Sequence, residues 1–496
     1  MITTNPETRK TLQERTLSGK RAREETPPSA HADWEPAADR PDPVALLVEQ
    51  NRTRETDLVP VRHGRMMLSP FTFYRGAAKI MAADLTGTPT AGLDVQLCGD
   101  AHLSNFGGFA SPERQLVFDL NDFDETLPGP FEYDLKRMAA SFTIAAVNNG
   151  FDPKDSRAVT VESVKAYRDA MAAFAGMPTL DVWYAHMSEH DLQEALKAVD
   201  SASGDSPEPD KKKHGKHDKG KSDTEKSELK SAMKATNKAL AKGRARDSLQ
   251  ALAKLVEVVD GQERIVSQPP LIVPLRDLTE AWGLSADGIH ALVEDQFEAY
   301  KASLSDDRRE LLERFAIVDM ARKVVGVGSV GTRAFIVLLQ GRDTGDPLFL
   351  QVKEATRSVL EDHLPKSRYA TSGQRVVEGQ KLTQATSDIF LGWTKGVQDD
   401  RYYYWRQLRD MKTSADVESM SPFRMTLYAR MCGWTLARAH ARSGDPVAIA
   451  ESIGTDADLD QAIATFSARY AEQNSRDYQA FVSAVKSGKI EAERAI

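Results

Sequence analysis

The sequence predicts an α+β protein in which a β-rich unit at about residues 317–412 is set against a larger, mostly helical body. Two observations carry this. Apolar residues recur at helical spacing from Phe131 to Asn149 and from Pro422 to Ala441. Between about Phe315 and Trp405, by contrast, β-branched and aromatic runs alternate with turn clusters, as strands do. A length of 496 residues allows two or three compact units.

In chain order, residues 1–55 are polar and charged and are expected to form a largely disordered arm. Residues 56–316 open the helical body with a helix-like segment from Met66, then two apolar strands, LDVQLCGD and QLVFDLNDFD, around a polar loop. In the helix that follows, Leu135, Met138, Phe142 and Ala145 share a face, and Asn148-Asn149-Gly150 ends it. Within this part, 201–247 is a charged low-complexity insertion containing DKKKHGKHDKGKSD. Such runs are usually solvated; a polyanion- or metal-binding tail through His214 and His217 is the functional alternative. Residues 413–496 complete the body, with Leu427, Met431, Trp434 and Arg438 at helical spacing.

Composition narrows the function. A net charge of -8 argues against a dedicated nucleic-acid binder, which would show a basic excess. No apolar run approaches bilayer length, and the N-terminal segment lacks the apolar core of a secretory signal, so no membrane partner and a cytoplasmic location are expected. Two cysteines, Cys98 and Cys432, exclude a disulfide framework and a multi-cysteine zinc module.

The β-rich unit holds the first chemical signal. Gly326, Gly328 and Gly331 match the GxGxxG spacing, with Ser329 between them. A dinucleotide-binding fingerprint would open a helix at the third glycine, but here Thr332 to Gln340 reads as a strand. A turn at Arg342 to Pro347 and a second strand ending at Lys353 follow. Strand, glycine loop, strand, turn, strand and lysine is the order of a phosphate-cradling kinase lobe. Such a lysine needs an acid on the next helix, and Glu378 stands about 25 residues on, in GQRVVEGQKLTQATSDIF, with Val377, Leu382 and Ala385 as its buried face. YYYWRQLRD then reads as a strand leading back to the larger body. The bland alternative is a β-hairpin with a glycine bulge and an exposed lysine.

The second signal lies upstream. Asp100 and Asn105 are five residues apart in a loop, and Asp122 and Asp124 end the next strand on one face. Phosphoryl transfer needs a carboxylate to take or orient the acceptor proton, plus an amide oxygen and a carboxylate for the metal. Turn-forming and capping roles are the plain reading of Asp119, Asn121, Asp122 and Asp124. A metal-dependent hydrolase on Asp100, His102, Asp122 and Asp124 is the other active one, although no HxH or HExxH pattern accompanies it.

These residues resemble the aminoglycoside phosphotransferase and choline kinase branch of the protein-kinase-like superfamily. Cys98-Gly99-Asp100-Ala101-His102-Leu103-Ser104-Asn105 matches its catalytic loop, with Cys98 where the branch carries histidine. Asp122-Phe123-Asp124 matches its metal motif, and Asp134 its structural aspartate before an apolar helix. Over most of its length the chain is similar to the bacterial family called domain of unknown function 2252, through SPFTFYRGAA, GDAHLSNFG, NDFDET, DLKRMAASF, VGVGSVGTR, VEGQKLTQATSDIFLGW and RQLRDMK.

The kinase-like resemblance implies a two-lobe fold in circularly permuted order, because the catalytic loop precedes the glycine loop. The helix CGWTLARAHARSGD would normally lead into that loop, so the new termini fall between it and Asp100; domain swapping in a homodimer would close the site equally well. Gly444-Asp445 is no substitute catalytic loop, since neither an asparagine five residues on nor an Asp-Phe pair follows. The implied activity is phosphoryl transfer from Mg-ATP to an unknown hydroxyl acceptor. The 326–331 backbone would cover the phosphates and Lys353, braced by Glu378, would hold them. Asn105 and Asp122, with Asp124, would bind Mg²⁺, and Asp100 would act as base. Arg75 and Lys136 are candidate substrate-side charges. A nucleotide-binding pseudokinase, the metal-dependent hydrolase and a non-catalytic interaction scaffold remain as alternatives.

Overall fold

Six antiparallel strands form the main sheet, in the order Gly392–Lys395, Tyr402–Gln407, Pro347–Ala355, Ala334–Gln340, Ala316–Lys323 and Ile272–Pro274. The computed structural model describes residues 10–191, 248–279, 285–324, 326–396, 400–408 and 411–493, with scattered positions between these stretches. Most of the charged insertion, including His214 and His217, lies outside the described residues.

The strand Ala334–Gln340 is apolar as far as Leu339 because both faces of the sheet are covered there. On one face Val337, Leu339, Leu350 and Val352 pack with Phe297, Tyr300 and Trp405. On the other, Ile336, Leu338 and Phe349 pack with Leu255, Ile265 and Leu408. Tyr300 stacks on Trp405 at 4.5 Å between ring centroids. This corrects the expected start of the β-rich unit at 317: the strand Ile272–Pro274 pairs with Ala316–Lys323, and the helix Ala286–Lys301 supplies the lid of one face. Strands buried on both faces need flanking chain to cover them, and the residues before 317 do so.

The helical body is built round Phe131–Asn148, whose residues from Phe131 to Ala146 are all buried, including the expected face of Leu135, Met138, Phe142 and Ala145. The helix Pro422–Ser443 forms as expected, with Arg438 among its buried residues. Met425, Tyr428, Cys432 and Leu436 are buried, whereas Leu427, Met431 and Trp434 are only partly covered. Neighbours on two sides of the helix, not the stripe of largest side chains, set its inner face. Two smaller antiparallel sheets complete this region: Asp94–Leu97 with Leu127–Pro130, and a four-stranded one in the order Thr413–Ser414, Phe106–Ala110, Leu116–Leu120 and Met187–Ser188. The C-terminal end of Pro422–Ser443 meets the first of these, where the Gln96 N–H donates to Ser443 Oγ at 3.0 Å. Among the described residues no helix is long and apolar enough to cross a membrane.

The expectation of disorder over 1–55 is corrected for residues 10–55. Leu12–Glu25 is a helix with a capping box on Thr11 and Glu14, and Pro43–Asn51 is a helix capped by Asp42. Polar composition misled because this segment docks through charge. Arg40 Nε lies 2.6 Å from Asp84 and its Nη2 2.7 Å from Asp477, with all three side chains nearly buried. Removing one member of such a cluster strands the others, so Arg40→Ala should cost about 3–5 kcal/mol in a urea denaturation series. An unchanged midpoint would mean that the arm does not dock.

His31 makes a second prediction. It is 3% exposed, and burial, then the Lys136 charge, pushes its pKa down from 6.5 to about 3. The folded state therefore keeps a neutral ring that the unfolded chain protonates below about pH 6.5. Stability from this group is present above that pH and is lost as pH falls towards 3. Between pH 7 and pH 5 the wild type should lose about 2 kcal/mol more than His31→Gln; parallel curves would refute the burial of a neutral ring.

Candidate functional site

Lys353 sits in Pro347–Ala355 directly opposite Tyr404 of the neighbouring strand, so the two side chains leave the sheet on one face. Both reach the same acid. Lys353 Nζ is 2.7 Å from Asp124 Oδ2 and 3.8 Å from Asp122 Oδ1, and the Tyr404 hydroxyl donates to Asp124 Oδ1 at 2.7 Å. The lysine side chain is 2% exposed. Burial works against its charge, but Asp122 and Asp124 outweigh it and hold the ammonium well above its ordinary pKa. The acids diverge: burial and the neighbouring Asp124 raise Asp122, while Lys353 and Tyr404 overcome burial and lower Asp124.

The loop carrying Asp100 is fixed from below. Asp134 accepts from the backbone N–H of Cys98 at 2.7 Å and of Gly99 at 3.0 Å, and His440 Nε2 lies 3.4 Å away. Gly99 has φ +86°, and a Cβ there would lie 2.2 Å from the Glu125 carbonyl, so only glycine fits. Asp100 Oδ1 accepts from Arg137 Nε at 2.8 Å, while burial raises its pKa. Asn105 Nδ2 donates to the Asp100 carbonyl at 2.8 Å, which leaves the amide oxygen for other work. His102 is 4% exposed, and burial followed by Arg137 keeps its ring neutral.

The glycine loop lies above these acids. Its carbonyls are held by the segment 54–65: Arg65 donates to Gly326, Arg54 to Val330 and the Glu55 N–H to Gly331. Beneath it are two cavities of about 590 and 330 Å³. The larger is bounded by Phe109, Leu348, Lys353, Gln380, Phe390 and Arg406, and the smaller by Arg54, Arg75, Asp100, His102 and Asp124. Asn105, Asp122, Gly326 and Ser329 border both. Gly328 borders the smaller one, whereas Gly331 lies behind the loop against Arg54.

Two expected residues fall outside. Glu378 does not brace Lys353; it lies 3.6 Å from Lys381 on its own helix, because Asp124 already occupies the lysine. The inward charge of that helix is Arg375, which donates to the carbonyls of Asp124, Thr126 and Thr356. Lys136 is buried in the helical core, with Nζ 3.2 Å from the Pro89 carbonyl. Arg75 borders the smaller cavity. Sequence reasoning missed Tyr404, Arg137, Arg375 and Arg406. Both arginines lie in helices that carry several other charged residues, so no local signal marks Arg137 or Arg375, and nothing marks Tyr404.

The donor set suits a hard divalent cation: an uncommitted amide oxygen on Asn105 and two carboxylates, of which Asp122 is raised partly by Asp124 and would gain from positive charge. Among the described residues no group of three or more His, Cys, Asp or Glu side chains surrounds a single point, so protein groups alone do not form a closed cage. A cation held there would need further ligands from outside these side chains.

A family model described as "Uncharacterized protein conserved in bacteria (DUF2252)" matches residues 54–484. No curated protein and no solved structure matches significantly. The buried lysine makes its own prediction. Lys353→Met should destabilise the fold by about 3–5 kcal/mol. Adding Asp124→Asn should recover about 1–3 kcal/mol as a coupling in a double-mutant cycle, because the stranded acid is gone. Additive losses in denaturant titrations would show that the contact carries no energy.

Proposed function

We propose that this chain, which belongs to the DUF2252 family, is a phosphotransferase that moves the terminal phosphoryl group of Mg-ATP to a hydroxyl acceptor. The observation that carries the reading is the 2.7 Å contact between Lys353 and Asp124, which lie 229 residues apart, beneath a glycine loop. Residue types that phosphoryl transfer requires thus stand round one pair of cavities although they are remote in the chain.

In this reading the larger cavity takes the nucleotide, and Phe109, Leu348 and Phe390 offer apolar surface for a base. Lys353 moves from Asp124 to the phosphates, and the backbone of Gly326 to Ser329 closes over them. Asn105, Asp122 and Asp124 would hold Mg²⁺, which would neutralise charge on the transferred group. Asp100, steadied by Arg137 on one oxygen, accepts the hydroxyl proton on the other. Asp134 keeps that loop in place through two backbone N–H groups.

The reading includes a circularly permuted kinase-like arrangement. It is supported by the hydrogen bond from Gln96 to Ser443, which sets the end of Pro422–Ser443 beside the strand leading to Asp100. One chain brings both motifs together, so a swapped dimer is not needed for closure.

The test is a thermal-shift titration with ATP, with and without Mg²⁺. At a hundredfold excess over Kd, binding to the folded state adds about 2.7 kcal/mol. A Mg-dependent rise in Tm for the wild type, lost in both Lys353→Ala and Asp122→Ala, is expected. No shift at millimolar ATP would sink the proposal. A shift that survives Lys353→Ala would place the nucleotide elsewhere.

A further inference from the structure

The smaller cavity has an electrostatic feature that the nucleotide site does not require. Its wall holds many acids, but nearly all have partners. Glu49 and Asp362 pair with Lys79, at 3.1 and 2.9 Å, and Glu354 pairs with Arg333 and Arg401 at 3.2 Å each. Asp100 is held by Arg137, Asp124 by Lys353, and Glu125 accepts the Val359 N–H at 2.7 Å. Arg357 lies 3.3 Å from Asp362 and 3.5 Å from Glu361.

Two cations remain. Arg54 is 8% exposed and its guanidinium donates to the Val330 carbonyl, yet no carboxylate lies within ion-pair distance of it among the described residues. Arg75 is partly buried; its side chain makes no hydrogen bond or ion pair among the described residues, and its Nε is buried without a partner. Withdrawing a guanidinium from water without an anion is costly, so the buried Arg54 and the partly buried Arg75 bordering one cavity form a receptor for negative charge. Both border the cavity that contains Asp100, the proposed base.

We infer that the smaller cavity is the acceptor site and takes a small hydroxylated compound that also bears an oxyanion, a phosphate or a carboxylate. The anion sits against Arg75 and Arg54, and the hydroxyl faces Asp100. A volume of about 330 Å³ suits a metabolite-sized molecule. This deepens the phosphotransferase reading and rests on it. In the step, the acceptor oxygen forms a bond to the γ-phosphorus of ATP and the bond from that phosphorus to the β,γ-bridging oxygen breaks. The hydroxyl proton passes to Asp100, and ADP leaves with the bond's electron pair.

The test is calorimetric titration of the full chain, saturated with a non-hydrolysable Mg-ATP analogue, with four probes: glycerol 3-phosphate, glycerate, glycerol and choline. The first two separate phosphate from carboxylate, and the last two remove or reverse the charge. At least one oxyanion should bind about tenfold or more tightly than glycerol, and Arg75→Ala should lose about that factor. Arg75→Lys should recover part of it, and the analogue's own affinity should stay unchanged in both variants. Equal binding of charged and neutral probes, a preference for choline, no probe binding, or oxyanion binding indifferent to Arg75→Ala would each overturn the assignment. If the analogue itself does not bind the wild type, the phosphotransferase reading fails. The same titration without nucleotide then still decides whether the cavity is an oxyanion site, since loss in Arg75→Ala separates it from binding at Lys353.

Discussion

A lysine ammonium that is 2% exposed is tolerable only beside negative charge, and much of this molecule is arranged to keep Asp124 beside Lys353. The sheet register places Tyr404 next to the lysine, so that its hydroxyl holds the other oxygen of the same carboxylate. The Asp-Phe-Asp turn is pinned from two directions. Phe123 is buried in the helical core, and Arg375 reaches from the helix Ser372–Thr383 to the carbonyls of Asp124 and Thr126. That helix therefore braces the site through a cation on backbone, not through an acid on the lysine. The lysine's acid comes from the other half of the chain.

The helical body applies the same rule with the sign reversed. Asp134 is buried because it closes two backbone N–H groups that would otherwise stay unsatisfied. Asp119 and Arg438, each 1% exposed, pair between the strand Leu116–Leu120 and the helix Pro422–Ser443. Asp119 also accepts the Ala385 N–H at 2.8 Å, and Arg438 donates to the Thr383 carbonyl, so the end of Ser372–Thr383 joins the same cluster. Pieces far apart in the chain are thus sewn together by ionic groups inside apolar surroundings, which fixes their relative positions more sharply than apolar contact alone would.

The acidic loop, glycine loop and lysine were legible because each carries a local signature: carboxylates breaking apolar strands, glycines at fixed spacing, a lysine at a strand end. Asp134 entered through the resemblance to the kinase-like catalytic loop, not through a local signature. The arm was misread because its polar residues were taken as solvated, whereas Arg40 and His31 are buried against Asp84, Asp477 and Glu132. In Pro422–Ser443 helical period is local but phase is set by what packs on each side, so Tyr428 and Cys432 are buried while Trp434 is only partly covered.

By itself the amino-acid sequence determined the α+β class, the strands around the glycine loop and the central helix, since these depend on short-range periodicity and on side-chain chemistry. Tertiary structure alone decided which acid meets Lys353, that Glu378 turns to Lys381, and that Arg54 and Arg75 make no ion pair among the described residues. Those outcomes depend on which buried charges become neighbours once distant strands and helices are packed. Each is a competition among several possible partners, and only the spacing of the folded chain settles it.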